Sequence, residues 1–113
     1  MKKLLVILLF ISCTQETPVI ETVEKETFEQ LIQNDYPLID VRTPQEFVGG
    51  HIENATNIDF NSPSFKLELS GLDKEQPFLI YCAVGGRSAK AASMMQSLGF
   101  KKVYELKGGY RNW

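Results

Sequence analysis

The stretch Tyr81-Cys82-Ala83-Val84-Gly85-Gly86-Arg87-Ser88 sets a thiol, two glycines, a guanidinium and a hydroxyl in close succession. Groups of these types in that order suit the stabilisation of a sulfur nucleophile. Cysteine attacks as its thiolate, and a thiolate forms where positive charge and N–H donors surround it. Gly85 and Gly86 allow the backbone into the φ > 0 region, so that successive N–H groups of the turn face inward as an anion-binding nest. Arg87 adds a permanent positive charge with several donors. The expectation is a Cys82 thiol that titrates below its ordinary range. Ala83, Val84, Gly85, Gly86, Arg87 and Ser88 form its cradle, and Arg87 orients a second anionic group. The competing reading makes Cys82 a small apolar residue that ends a core strand. A cysteine of that kind needs none of the turn that follows it.

The flanking elements must place this thiol. Phe78-Leu79-Ile80-Tyr81 is a short apolar run after a Gln76-Pro77 turn signal, and reads as a buried strand. From Ser88 the period changes: Ala91, Ala92, Met94, Met95 and Leu98 fall at helical spacing, with Gly99 as the stop. The two methionines on that face serve as core filling. Cys82 thus stands at the carboxyl end of a strand and just before a helix. There the unpaired N–H groups and a dipole of roughly half a charge favour an anion.

Tyr81-Cys-x-x-Gly85-x-Arg87-Ser88-x-x-Ala91-Ala92 resembles the active-site loop and following helix of rhodanese-like sulfurtransferases. Upstream, Leu38-Ile-Asp40-Val41-Arg42, Glu46-Phe47, Gly50-His51-Ile52 and Ala55-x-Asn57-Ile58 are similar to that family's N-terminal signature. Downstream, Gly99-Phe100-x-x-Val103 and Leu106-x-Gly108-Gly109 with Trp113 are similar to its C-terminal one. The resemblance covers roughly residues 20–113 and implies an α/β domain with a five-stranded, mainly parallel sheet flanked by helices. It also implies transfer of sulfane sulfur through a persulfide on Cys82. The partners are then a small donor such as thiosulfate or a persulfide and a thiol or cyanide acceptor, with a protein acceptor as a further possibility. No metal or organic cofactor is required.

The chain's 113 residues, 43% of them hydrophobic, suit one globular domain, residues 19–113, behind an N-terminal extension. In that extension, Met1-Lys2-Lys3 precedes the apolar run Leu4 to Ile11 and then Ser12-Cys13, which reads as an export signal over residues 1–12. The apolar run is too short to span a bilayer. Its small-residue-Cys ending resembles a bacterial lipoprotein signal, in which Cys13 carries the lipid. Residues 13–18 then form the lipidated cysteine and a short tether, of which Thr14 to Pro18 reach at most about 18 Å. The expectation is an exported, membrane-anchored protein on the periplasmic or cell-surface side. The alternatives are an ordinary secretory signal with an incidental cysteine, or a short buried strand. With Cys13 lipidated, Cys82 is the single remaining thiol, open to oxidation and dependent on a reducing partner.

The formal net charge of −2 grows more negative once Lys2 and Lys3 are removed, and no basic stripe with interleaved aromatics is present, which excludes nucleic acid as a partner class. Glu16, Glu21, Glu24, Glu26 and Glu29 read as a solvated face. His51 is the only histidine, so a histidine-built metal site has little to work with. Between loop and strand it reads as a hydrogen-bonded structural group, with general base as the alternative.

The remaining elements follow from local pattern. Val19-Ile20 reads as an edge strand, and Thr22 or Thr27 caps a helix with Phe28, Leu31 and Ile32 inward, ending at Asn34-Asp35. Pro37 to Val41 is a strand, followed by a helix with Thr43 as cap, Pro44 at its first position and Glu46 in its first turn. Asp40, Arg42 and Glu46 offer a paired-carboxylate acid–base site, but ion pairs at a strand end and the family's scaffold role favour a structural reading. Ala55 to Ile58 is a short strand, and Pro63 to Leu69 either a short helix or an irregular crossover. Val103 to Leu106 is the last strand; Gly108-Gly109 then lets the backbone pass close to another element, and Tyr110 and Trp113 pack on the core. Strands alternating with helices indicate a mainly parallel sheet, whose ligands bind beyond the strands' carboxyl ends, where Cys82 stands.

Two other functions compete. A cysteine phosphatase or arsenate reductase uses a similar cradle, but that family's pattern has five residues between Cys and Arg, whereas Ala83 to Gly86 are four. A non-enzymatic carrier of persulfide sulfur, or a binding module at the membrane, fits the small uncharged side chains of Ala83 and Val84.

Overall fold

The computed structural model describes residues 17–113. Cys13 and the segment expected to be a signal lie outside the described residues. Five strands, β1 (Ile20–Val23), β2 (Leu38–Asp40), β3 (Thr56–Asn57), β4 (Phe78–Tyr81) and β5 (Val103–Leu106), form one sheet in the order β1-β5-β4-β2-β3. Every pairing is parallel. The helices are α1 (Lys25–Ile32), α2 (Pro44–Val48), α3 (Phe65–Ser70) and α4 (Gly86–Ser97), with a closing 3-10 turn at Tyr110–Asn112. This is the α/β architecture expected.

Strand β4 lies at the sheet's centre, and all four of its residues are buried. A two-residue period divides it between two cores. Phe78 and Ile80, with Cys82 following, join Phe65 and Leu69 of α3 and Ala91, Ala92 and Met95 of α4. Leu79 and Tyr81 face the other way, toward Phe28 of α1 and Leu106. Trp113 closes that second core edge-on against Phe28, with ring centroids 6.0 Å apart. Both faces of the sheet are covered, which is why its central strands are apolar almost throughout.

Three boundaries differ from the local reading. Helix α1 is capped by Glu24, without a side-chain cap bond, and by neither Thr22 nor Thr27. Pairing with β5 holds the chain extended through Val23, with Thr22 opposite Glu105, so the helix starts later than Thr22 allows and before Thr27. Residues 65–70 settle as a helix, with Phe65 and Leu69 buried four positions apart on one face. Helix α4 begins at Gly86 rather than Ser88. Gly85, at φ 125°, turns the chain in a single residue, and its carbonyl already accepts the Ala89 N–H.

Candidate active site

Cys82 leaves β4 at the sheet's carboxyl edge and is 1% exposed. The Gly85 N–H donates to its Sγ at 3.0 Å, and Gly85's positive φ, which favours glycine, then turns the chain into α4. Gly86 has no such φ; it is the first helical residue, with open space where a Cβ would stand. Burial, the largest single influence on the thiol, pushes its pKa up. The Ser88 hydroxyl and the N–H groups of Ser88, Gly85 and Val84 outweigh that and hold it below its ordinary value. The loop therefore favours the thiolate although the sulfur is buried.

Ser88 heads the buried face of α4, in line with Ala91, Ala92 and Met95, so its hydroxyl is directed at the sheet. Its Oγ lies 3.3 Å from Cys82 Sγ and donates to Glu105 Oε1 at 2.6 Å. Glu105 is 6% exposed and sits on the same face of β5 as Val103. The sequence reading did not single it out. The available signal was a carboxylate at the same parity as Val103 in a short strand, which becomes informative only once β5 is known to lie inside the sheet.

Arg87 pairs with Glu46 of α2. Its Nη1 and Nη2 donate to Glu46 Oε1 and Oε2 at 2.6 and 2.9 Å. Glu46 is itself held by Thr43 in a reciprocal capping box, with Pro44 in the first turn. The Arg87 bonds, opposed by partial burial and assisted by Thr43, pull the Glu46 carboxyl down to about 2. Asp40 and Arg42 form a separate buried pair: Nη2 donates to Asp40 Oδ2 at 2.7 Å and to the Gly50 carbonyl at 2.6 Å. The guanidinium of Arg42 lies 4.4 Å from the Tyr110 ring centroid. The three groups considered as an acid–base site are thus divided between two ion pairs.

The C-terminal segment backs the loop. Tyr110 and Arg111 donate their N–H groups to the carbonyls of Cys82 and Ala83, at 2.8 and 3.0 Å. A Cβ on Gly109 would meet those same carbonyl oxygens at 2.5 and 2.6 Å. The element approached by the Gly108-Gly109 pair is the active-site loop itself. His51 is exposed, stacked on Phe47 at 3.7 Å, with Nδ1 2.8 Å from the Phe47 carbonyl. Ala83 is half-buried and Val84 is 59% exposed at the loop's rim. A surface groove of about 430 Å³ lies elsewhere, between Glu29, Glu53 and Trp113.

A thiol at a strand end, N–H donors aimed at it and a following helix form a nucleophile site of one recognised kind. The rhodanese-like domain family model matches residues 24–113. Among curated proteins, the chain is similar to thiosulfate sulfurtransferase GlpE of Pseudomonas aeruginosa. The two are 33% identical over 93 residues, 82% of this chain and 83% of that protein. It is 40% identical over 76 residues to the Bacillus subtilis protein YqhL, covering 67% of this chain and 59% of YqhL's length. A solved structure of a rhodanese-related protein from Thermoplasma volcanium aligns with a TM-score of 0.73 and 27% identity, over 82% of this chain and 89% of that one. This chain belongs to the rhodanese-like domain family, with sulfurtransferases among its homologues.

Proposed function

We propose that the chain transfers sulfane sulfur through a persulfide on Cys82. The thiolate attacks the outer sulfur of thiosulfate, the S–S bond of the donor breaks, and sulfite leaves with that bond's electrons. A thiolate or cyanide then attacks the terminal sulfur of the Cys82 persulfide, takes it as a new persulfide or thiocyanate, and releases the Cys82 thiolate. Two displacements through one covalent intermediate give ping-pong kinetics. The observation that carries the reading is the Gly85 N–H on Cys82 Sγ, within a turn that lowers the thiol's pKa. The same N–H groups favour the persulfide anion. The likeness to GlpE, named a thiosulfate sulfurtransferase, supports thiosulfate as a donor.

A second reading, a carrier that receives sulfur from another persulfide and passes it to a partner protein, is favoured by one observation. Both terminal nitrogens of Arg87 are engaged by Glu46, which leaves the guanidinium less able to recruit a dianion. Intact mass after exposure to thiosulfate or glutathione persulfide, with Cys82→Ser alongside, tests both. Gain of one reducible sulfur in the wild type alone supports persulfide chemistry, and uptake from glutathione persulfide without turnover of thiosulfate supports the carrier. No gain with either donor, from folded and reduced protein, overturns both readings.

The export signal and lipid anchor at Cys13 form part of the proposal, on the pattern of residues 1–13. Globomycin-sensitive processing and labelling by a radioactive fatty acid test it, and absence of label overturns the anchor.

A further inference from the structure

Glu105 is a buried carboxylate without an ion-pair partner among the described residues. Its contacts are hydroxyls: Ser88 from α4 at 2.6 Å on Oε1, and Thr22 from β1 at 3.4 Å on Oε2. From β4 the residue opposite is Ile80. The lysines bounding β5 are paired elsewhere, Lys102 with Glu21 at 2.8 Å and Lys107 with Glu24 at 3.1 Å. Around the sulfur, Arg87 is taken by Glu46 of α2, and Asp40 of β2 by Arg42. A carboxylate removed from water without a counter-charge costs several kcal/mol, and two neutral hydroxyls offset only part of that.

Ser88 has one proton and faces three groups that can take it: Glu105 Oε1 at 2.6 Å, the Gly85 carbonyl at 3.2 Å and the sulfur at 3.3 Å. With Glu105 ionised, the short charge-assisted bond to Oε1 takes the hydroxyl proton. Ser88 Oγ then presents a lone pair to the Cys82 thiol at 3.3 Å. Ser88 favours the thiolate only if its proton turns to sulfur, and Glu105 must then supply a proton to Oγ in its place. Two negative charges separated by a single hydroxyl in a buried pocket disfavour each other, which makes the singly charged pocket the stable one.

We infer that Glu105 is a positioning residue for the sulfur chemistry, sharing one proton with Cys82 through Ser88. When the thiolate forms, the proton on Sγ passes to Ser88 Oγ and the Ser88 hydroxyl proton passes to Glu105 Oε1. One proton is lost by sulfur and one gained by the carboxyl, and the trio carries a single negative charge before and after. The thiolate thereby arises without releasing a proton to solvent. The chain Cys82–Ser88–Glu105 deepens the sulfur-transfer reading, and its test needs no sulfur donor, so failure of one is distinguishable from failure of the other.

The test is the rate of Cys82 alkylation by iodoacetamide across pH, in the full chain carrying Cys13→Ser so that Cys82 is the single thiol. An isolated thiol loses about tenfold in rate for each pH unit below its pKa. A proton-sharing pair titrates in two macroscopic steps, so the wild-type rate levels off on a plateau between them. Glu105→Gln and Ser88→Ala each reduce the profile to one step without a plateau. A single step in the wild type, or a plateau surviving in Glu105→Gln, overturns the inference. Should either variant fail to fold, infrared spectra of the wild type decide. A carboxylic C=O stretch present at the plateau pH and lost on alkylation of Cys82 supports proton sharing, and a spectrum unchanged by alkylation overturns it.

Discussion

Glu46 grips Arg87 through both carboxylate oxygens, at 2.6 and 2.9 Å, across 41 positions of sequence. The pair ties α2 to the start of α4 and engages both terminal nitrogens of the loop's arginine. Both side chains are partly exposed, Arg87 by 27% and Glu46 by 33%, so solvent screens the attraction.

Replacing Glu46 by Gln removes this ion pair while a Gln at that position still closes the capping box. The expected cost at neutral pH is on the order of 1 kcal/mol after allowance for that screening. The Glu46 carboxyl is depressed from 4.5 to about 2, so its contribution is fully present above 4.5 and is lost as pH falls through about 2. Urea unfolding at stepped pH checks this. The gap between wild type and variant closes over that window, and a gap independent of pH contradicts the assignment.

Gly85 and Gly86 are adjacent yet respond differently. Neither Cβ would meet a neighbour, so only the backbone separates them. Gly85→Ala strains a residue at φ 125° by about 1–2 kcal/mol and shifts the N–H that holds Cys82, raising the midpoint of thiol alkylation. Gly86→Ala leaves that midpoint in place and is neutral or stabilising by up to about 1 kcal/mol. Alkylation rate against pH and thermal unfolding read both variants.

Gly109→Ala drives a methyl group into the backbone of Cys82 and Ala83. The expected loss is about 1–3 kcal/mol from overpacking alone, with persulfide formation lost as the loop moves. Gly99→Ala is the control. It too has a positive φ, 96°, but open space around it, and it costs stability without affecting sulfur uptake. Intact mass after a sulfur donor, beside denaturant midpoints, distinguishes the two.

Asp40→Ala leaves the Arg42 guanidinium buried and unpaired. A loss of about 3–5 kcal/mol follows, enough to unfold much of the protein. Asp40 is fully buried and holds the Arg42 backbone as well as its side chain, so the effect falls on folding rather than on chemistry. Equilibrium unfolding together with alkylation of the folded fraction checks it; a fully stable but inert variant contradicts the scaffold role.

Much of this arrangement is legible locally. Phe78–Tyr81 reads as a strand from its unbroken apolar run and Val103–Leu106 from its short β-favouring pattern after the Gly99 stop, and both match the structure residue for residue. The Thr43–Glu46 capping box is a four-residue interaction and needs nothing beyond its own turn. Where tertiary pairing competes with a local preference, as at Thr22, the local reading fails. An extended register against β5 outweighs a cap bond at that position.

The sequence by itself determined the alternation of strand and helix, the turn that places Cys82 at a strand end, and the parity that sends Cys82 to the face of Phe78 and Ile80. These depend on periods of two and 3.6 residues and on the φ that glycine permits, all short-range properties. Only the tertiary structure decided which groups surround the sulfur. The order β1-β5-β4-β2-β3 sets β5 beside β4, and with it Glu105 against Ser88 and Gly109 against the loop's carbonyls. It also set Arg87 against Glu46. Such contacts join residues 17 to 41 positions apart, and sequence carries no local period for them. They follow from the buried area gained when both faces of one sheet are covered at once.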